Sequence, residues 1–200
     1  MNNYRTVAVG LSLLALAQVL SSTEVLADSP AQQIKETIQR VITIVDPSAG
    51  TGELERRELL RDVLMPRFDF PEMAKRSLGK HWNREPERQQ EFVSVFAEFL
   101  GNNYAGKILS FKDEKIVFSR EWTEKETAEV DTKVVPSNGE TLSVNYRLHR
   151  VQGEWKIYDV VVENISLVGN YRSQFSRILS NGSFDELIER LKGKESRNDN

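Results

Sequence analysis

The sequence contains no cysteine and only two histidines among its 200 residues. Without cysteine the chain can form no disulfide scaffold, no thiolate metal site and no thiol nucleophile, and it offers no cysteine for lipid attachment. An excess of positive charge is also missing, since 27 Lys and Arg stand against 30 Asp and Glu. The net charge of −3 argues against a general nucleic-acid binder, which is usually basic. Packing of apolar side chains must therefore hold this fold together.

No apolar run in the sequence is long enough to span a membrane. The longest, Val7–Leu20, has about 14 residues, whereas about 20 are needed to cross a bilayer. Arg5 precedes this run and the small residue Ala27 follows it, which predicts a secretory signal over residues 1–27, cleaved after Ala27. The alternative is a transmembrane anchor. Export without cysteine suggests a protein of the bacterial envelope.

Residues 28–192 predict a single domain, and residues 193–200 predict a polar tail. Helical spacing of apolar residues, bounded by capping signals, predicts six helices in the domain. They cover about residues 30–46, 53–64, 69–79, 86–108, 167–179 and 184–191. The fourth helix is the longest, and its apolar stripe comprises Phe92, Val95, Phe96, Phe99, Leu100, Tyr104 and Ile108.

After Phe111 the apolar period changes from helical to alternating, which predicts strands. Four are expected, over residues 116–122, 128–135, 142–151 and 155–165. Tight-turn signals at residues 137–139 and at Gln152-Gly153 join consecutive strands into an antiparallel meander. Helices, then sheet, then helices predict an α+β domain with helices packed on one face of a curved four-stranded antiparallel sheet.

The residues of common catalytic sites are largely missing. Neither His81 nor His149 belongs to a metal or nucleophile motif, and the sequence has no phosphate-binding glycine loop. We expect His81 at a helix end or on the surface and His149 to point outward from a strand. No metal ion and no cofactor is predicted. Two local basic clusters, one at Arg56, Arg57 and Arg61 and one at Lys75, Arg76 and Lys80, could meet an anionic partner or form solvated helix faces.

One tyrosine–carboxylate pair could transfer protons in an apolar cavity. If Gln152-Gly153 is a two-residue loop, Tyr146 lies opposite Asp159, Val144 opposite Val161 and Leu148 opposite Ile157. Asp159 could then be catalytic. The structural alternative, which we favour, is that it accepts a hydrogen bond from Tyr146 or from a backbone N–H, as a buried carboxylate requires.

Several segments in order resemble the MlaC family, also called toluene-tolerance auxiliary proteins. The resemblance spans roughly residues 30–192. Its strongest part is Phe68-Asp69-Phe70-Pro71-Glu72-Met73-Ala74-Lys75-Arg76-Ser77-Leu78-Gly79-Lys80-His81-Trp82, followed by the phenylalanine-rich helix, residues 155–160 and residues 170–175. At Asn164 the family commonly has glycine. Asparagine tolerates a left-handed backbone better than most residues, so we expect the turn to survive.

The resemblance implies a periplasmic phospholipid carrier that is not an enzyme. Such proteins shuttle a diacyl phospholipid between an outer-membrane lipoprotein complex and an inner-membrane ABC transporter with an MCE subunit, and so maintain the lipid asymmetry of the outer membrane. Helices and sheet would enclose the acyl chains in an apolar cavity, with the headgroup at its mouth. A shuttle of this kind is expected to be a monomer.

The apolar residues of the long helix and the sheet are the candidate lipid-binding residues. They are Phe92, Phe96, Phe99, Leu100 and Tyr104 from the helix, and Val144, Tyr146, Leu148, Ile157 and Val161 from the sheet. For each of them, ordinary packing in the core is the alternative. Two other functions stay open: a carrier for another apolar lipid, such as a hopanoid, and a small-molecule enzyme that uses Tyr146 and Asp159.

Overall fold

The computed structural model describes residues 29–46, 48, 50–111 and 114–195. The predicted signal segment and residues 196–200 of the predicted tail lie outside this part of the chain. The helices are α1 (Pro30–Val45), α2 (Glu53–Leu64), α3 (Phe70–Leu78), α4 (Gln89–Leu109), α5 (Leu167–Asn181) and α6 (Phe184–Glu195). The strands are β1 (Lys115–Glu124), β2 (Thr127–Val135), β3 (Leu142–Val151), β4 (Glu154–Val162) and β5 (Ile165–Ser166). The fold is α+β, and the helix positions agree with the predicted ones.

Side-chain caps explain where several helices begin. Ser29, Asp69 and Ser166 each accept a hydrogen bond from a backbone N–H three residues later, at the start of α1, α3 and α5. Three short 3₁₀ segments, Met65–Arg67, Gly79–His81 and Pro86–Arg88, join α2, α3 and α4. Because these caps are local, they could be predicted from the sequence.

The five strands form one antiparallel sheet in the order β1-β2-β3-β4-β5. The predicted meander is confirmed, but the predicted number of strands is wrong. The segment expected as one strand over residues 155–165 is divided, because Glu163 and Asn164 have φ values of 48° and 65° and turn the chain back. Asn164 thus adopts the left-handed backbone expected of it, and β5 returns to pair with the end of β4.

A β-bulge in β4 changes the register that the two-residue loop predicts. Gln152 and Gly153 have positive φ, as a tight hairpin turn requires, and Leu148 pairs with Ile157 as expected. Beyond this pair the register shifts by one residue, so that Tyr146 pairs with Val160. The predicted pairing of Tyr146 with Asp159 and that of Val144 with Val161 are therefore wrong.

The bulge assigns side chains to the two faces of the sheet. Val130, Tyr146 and Val160 are paired in sequence across β2, β3 and β4, so they share one face, which we call the inner face. Asp159, paired with Arg147, and Val161, paired with Asn145, lie on the opposite outer face. Helix α1 packs against β1 and β2.

Helix α4 is the centre of the helical part of the molecule. It packs against α2, α3 and α6. Val93 and Ala97 are buried along with Phe92, Phe96 and Phe99, so the apolar face is broader than the predicted stripe. One exposed stripe remains, formed by Gln90, Ser94, Glu98 and Asn102. Among the described residues, no helix is both long and apolar enough to cross a membrane.

Candidate functional site

Most buried apolar residues of the described chain belong to one of two clusters. The helical cluster comprises Met73, Ala74, Leu78, Phe92, Val93, Val95, Phe96, Phe99, Leu100, Val168, Tyr171, Phe175, Leu179, Phe184, Leu187, Ile188 and Leu191. The sheet cluster comprises Ile34, Ala128, Val130, Leu148, Trp155 and Ile157. A domain usually has one contiguous core with smaller satellite clusters beside it. The boundary between the large helical cluster and the small sheet cluster is the feature on which the functional question turns.

Half-buried apolar side chains surround both clusters. Tyr104 and Leu167 pack at the edge of the helical cluster, and Phe118, Tyr146 and Val160 at the edge of the sheet cluster. Within the described part of the chain, Phe68 is the one partly buried side chain that packs against both clusters. We call the boundary between the two clusters the seam. Phe68 thus marks the seam, and incompletely buried apolar groups lie at the edge of each cluster.

Phe68 is held at the seam by backbone pairing with the sheet. It forms an isolated parallel bridge with Ile157, and the following N–H of Asp69 donates to the Ile157 carbonyl at 2.9 Å. Asp69 also caps α3 and lies 2.8 Å from His149 Nε2 through Oδ2. These contacts attach the start of α3 to β3 and β4, so the two clusters have a defined position relative to each other.

The polar groups of the inner face are only partly paired. Thr132 Oγ1, which neighbours the Tyr146 hydroxyl, donates to the Val144 carbonyl at 2.8 Å, whereas the buried indole N–H of Trp155 has no hydrogen-bond partner among the described residues. Burial raises the pKa of the Tyr146 phenol, so it stays protonated at neutral pH. The inner face is therefore largely, but not wholly, apolar.

Asp159 has a structural role on the outer face. Its carboxylate accepts hydrogen bonds from the backbone N–H of Val168 at 3.1 Å and from Ser166 Oγ at 2.6 Å, and lies 3.3 Å from Arg147 Nη1. It is 4% exposed. Of the two structural roles expected, acceptance from a backbone N–H is the one found. Tyr146 and Asp159 face opposite sides of the sheet, so the acid–base pair of the enzyme hypothesis is not assembled.

The five candidate residues of α4 differ in their surroundings. Phe92 and Phe96 have no exposed surface and pack in an aromatic group with Phe175, whose ring centroid is 5.7 and 5.5 Å from theirs. Tyr104 is only partly buried and hydrogen bonds with Tyr171. The structure thus places Phe92 and Phe96 inside the helical cluster and Tyr104 at its edge. A lipid contact by any of the five, Phe99 and Leu100 included, stays a prediction.

The candidate residues of the sheet divide between the two faces. Val144, Tyr146, Leu148 and Ile157 share the inner face, with Val144 and Tyr146 half-buried and the other two fully buried. Val161 lies on the outer face because of the bulge, where it is 8% exposed. Sequence reasoning missed Val160, since the alternation that would have identified it is interrupted one residue earlier.

A separate cleft of about 600 Å³ opens among α4, α5 and α6. It is lined by Phe99, Tyr171, Gln174, Phe175, Arg177, Ile178, Leu187, Arg190, Leu191 and Gly193. Burial, followed by its hydrogen bond with Tyr104, raises the pKa of the Tyr171 phenol. The sequence identified the apolar residues of α5 and α6 as core positions but carried no signal that they border an opening.

The two histidines differ in environment. His149 lies on the outer face, as expected, in contact with Asp69. His81 ends the 3₁₀ segment after α3, but it is 2% exposed, so a surface position is wrong. Burial, with Arg84 and Lys80 nearby, lowers the pKa of His81. The described residues contain no group of three or more His, Cys, Asp or Glu side chains that could hold a metal ion.

Comparison with known proteins supplies two relatives by sequence. The chain is 20% identical to the intermembrane phospholipid transport system binding protein MlaC of Haemophilus influenzae, over 93% of this chain and 91% of that protein. It is 28% identical to the toluene tolerance protein ttg2D of Pseudomonas putida, over 68% of this chain and 66% of that protein.

Among solved structures, the chain is similar to a phospholipid-binding protein from Ralstonia solanacearum that was determined in complex with a phospholipid. The TM-score is 0.75 at 22% identity, and the match covers 86% of this chain and 99% of that one. At this identity the similarity shows a common fold. The family model described as MlaC protein matches residues 35–193, which is most of the sequence. The resemblance seen in the sequence is confirmed, and the chain belongs to the MlaC family.

Proposed function

We propose that this protein is a periplasmic phospholipid carrier that holds the acyl chains of a diacyl phospholipid in the seam. The proposal rests on half-buried apolar side chains at the edges of the two clusters and on Phe68, which packs against both. Family membership and the names of the relatives support the choice of ligand. The protein is exported after removal of residues 1–27 and works as a monomer without a catalytic step.

The energetics of acyl chains explain why a carrier needs a seam rather than a surface groove. Two chains contain roughly 30 methylenes, and each is worth about 0.8 kcal/mol when it is kept from water. Full exposure would therefore cost on the order of 24 kcal/mol. A boundary that is apolar on both sides makes transfer from a bilayer close to an exchange. Small differences in lipid affinity between the partner that supplies the lipid and the partner that accepts it then suffice to give transport a direction.

The proposed lining comes from the edges of both clusters. Tyr104 contributes from α4, and Phe118, Val144, Tyr146 and Val160 contribute from the inner face. The fully buried candidates Phe92, Phe96, Leu148 and Ile157 support these residues from behind and contact the lipid only if the seam widens. Val161 is not part of the lining that we propose, since it lies on the outer face.

The two proposed partners of the carrier are an outer-membrane lipoprotein complex and an inner-membrane ABC transporter with an MCE subunit. Their identities come from the family, whose member in Haemophilus influenzae is named for an intermembrane phospholipid transport system. With these partners the protein would maintain the lipid asymmetry of the outer membrane and contribute to solvent tolerance.

The direct test is to purify the mature protein from the periplasm, extract it with organic solvent and analyse the extract by mass spectrometry. We expect a diacyl phospholipid in near-stoichiometric amount and a mature chain that begins at Asp28. A polycyclic lipid such as a hopanoid would replace the proposed ligand with the alternative one. Absence of any lipid from the folded protein would contradict carriage.

A pair of matched variants tests the location of the lipid. Val160→Trp adds a large side chain to the inner face at the seam, and we expect it to lower the amount of bound lipid severalfold. The control Val117→Trp makes the same change on the outer face of β1, at a position that is 48% exposed. It should leave the lipid content unchanged. Equal lipid content in the two folded variants would move the binding site away from the inner face.

A further inference from the structure

Four exposed cations lie on two segments that pack against each other, the segment after α3 and helix α5. Lys80 and Arg84 belong to the segment after α3, and Arg84 N–H donates to the His81 carbonyl at 3.1 Å. Arg172 and Arg177 project from α5, which packs extensively against α3. We call these four residues the basic face. None of the four forms an ion pair with another residue of the described chain.

A glycine holds one of these cations in position. A Cβ at Gly79 would lie 2.7 Å from Arg172 Nε, closer than real side-chain contacts allow. Gly79 ends α3 with a φ of 53°, a conformation that glycine adopts without strain. The missing side chain therefore gives the Arg172 guanidinium a notch against the α3 backbone. An arginine that is oriented in this way and lacks an acidic partner is available to an anion from outside.

The two arginines of α5 border a common concave surface. A shallow cleft of about 440 Å³ is lined by Arg172, Ser173, Ser176, Arg177, Ser180 and Asn181. Its lining is entirely polar, and Arg177 makes only a long contact, from Nε to the Ser173 carbonyl at 3.4 Å. The Ser173 and Ser180 hydroxyls donate to backbone carbonyls of their own helix, so the two guanidinium groups are the charged donors that suit carboxylate or phosphate oxygens.

The acidic side chains nearest in sequence to the basic face already have other partners. Residues 73–84 and the whole of α5 contain no Asp or Glu. Of the acids that flank these segments, Glu72 pairs with Arg76, Glu85 and Asp185 with Arg88, and Glu186 with Arg190, while Glu163 accepts a hydrogen bond from the Ser143 N–H. On a molecule of net charge −3, the basic face is thus a concentrated patch of the opposite sign. Such a patch orients the approach of an anionic partner.

We propose that the basic face is a docking surface for an acidic segment of a partner protein. The proposal deepens the proposed function, since a carrier must dock where it loads and unloads its lipid. Charge complementarity through exposed arginines and lysine raises the rate of encounter but adds little affinity, which suits a partner that must soon leave. A polar cleft beside the face would receive a protruding loop or terminus that carries Asp or Glu.

The composition of the face favours a protein partner over a bilayer surface. Segments that lie on membranes combine basic residues with exposed large apolar side chains. The exposed large apolar residues of the described chain are Ile42, Leu54, Leu59, Phe111, Val117, Trp122, Val162 and Ile165, and all of them lie outside residues 70–85 and α5. Three of the four cations are arginines, whose planar fork pairs with carboxylates in bidentate geometry.

The test compares two double variants of the mature protein that remove the same charge. Arg172→Gln with Arg177→Gln empties the cleft of cations. Lys35→Gln with Arg40→Gln removes two exposed cations from α1, which likewise form no ion pair within the described residues. The probe is a fluorescently labelled poly-glutamate peptide of about 20 residues, followed by anisotropy at low salt. A parallel arm measures sedimentation with vesicles of phosphatidylcholine and phosphatidylglycerol.

We expect the cleft variant to bind the peptide about fivefold to tenfold more weakly than the unaltered protein, as the loss of two exposed ion pairs predicts. The control variant should bind as the unaltered protein does. Equal weakening in both variants would overturn the proposal in favour of an effect of net charge. Cleft-dependent binding to anionic vesicles without binding to the peptide would overturn it in favour of a membrane. The lipid content of both variants, measured separately, tests whether the protein binds lipid, independently of docking.

Discussion

The helical cluster and the sheet cluster are built from similar apolar residues but differ in how completely those residues are enclosed. In the helical cluster, Phe92 and Phe96 have no exposed surface and pack against aromatic rings of α5 and α6. In the sheet cluster, Val130 and Leu148 are fully buried, but Tyr146 and Val160 beside them are only partly so. The centre of the helical cluster around Phe92 and Phe96 is a completed core, although a cleft opens beside Phe99 and Phe175, and the sheet cluster is a core with an unfinished side. In a ligand carrier, stability and binding can then be assigned to different regions.

The largest expected effect comes from opening the completed core. Phe96→Ala should lower the free energy of unfolding by about 3–5 kcal/mol, because it removes a fully buried ring and leaves a cavity. Urea denaturation followed by circular dichroism measures the change. Leu54→Ala, at a position that is 80% exposed, is the control and should change the free energy by less than about 0.5 kcal/mol. A loss below about 1 kcal/mol for Phe96→Ala would show that the two clusters do not differ as described.

The next largest effect should come from the contact that joins the sheet to α5. Asp159→Ala leaves the Val168 N–H without its acceptor and Arg147 without its buried partner. We expect a loss of about 2–3 kcal/mol in the free energy of unfolding. Asp62→Asn, an exposed acid of α2, serves as the control and should be close to neutral. Full stability of Asp159→Ala would mean that α5 does not depend on this carboxylate for its position.

A smaller loss in the free energy of unfolding should appear as pH falls, and it should come from His81. Burial lowers the pKa of His81 in the folded protein below its ordinary value of 6.5, so the unfolded chain takes up a proton first. The stability present above about pH 6.5 is therefore lost as pH falls towards the folded pKa. In His81→Gln, unfolding curves at pH 7.5 and 5.5 should differ less than in the unaltered protein. An equal pH dependence would assign the loss to other groups.

The smallest stability change is expected at the unfinished side. Val144→Ala removes two methyl groups from a half-buried inner-face position and should cost about 1 kcal/mol. Val144→Ala should also change the ratio of the bound lipids, measured by mass spectrometry, because Val144 belongs to the proposed lining. If stability falls as far as in Phe96→Ala and the bound lipid is unchanged, Val144 belongs to a closed core.

Much of the fold could be predicted because its signals are local. Serine caps at residues 29 and 166 mark helix starts with a hydrogen bond that spans three residues. Gln152-Gly153 marks a hairpin because two consecutive positive φ angles are required there. The lipid-carrier interpretation came from motifs in order rather than from chemistry, since no single residue of the seam is distinctive.

The errors share a physical cause, which is contact between distant segments. The bulge in β4 is stabilised through Tyr158, whose ring packs 5.3 Å from that of His149 and under the Arg76 guanidinium at 4.2 Å. Nothing in the sequence of residues 144–161 alone indicates that Tyr158 contacts Arg76 of α3. The shift moved Val161 to the outer face and separated Tyr146 from Asp159, so the predicted register of β3 and β4 was wrong beyond the pair of Leu148 and Ile157.

The amino-acid sequence by itself determined the order of helices and strands, the positions of most turns and the family, because each of these depends on neighbours within a few residues or on motifs in succession. The tertiary structure alone decided which face each strand residue occupies, that the core is divided, and that Arg172 rests in the notch of Gly79. Those features depend on groups that are distant in the sequence. Such groups come into contact only in the folded protein, where the free energy of the whole fold stabilises their contacts.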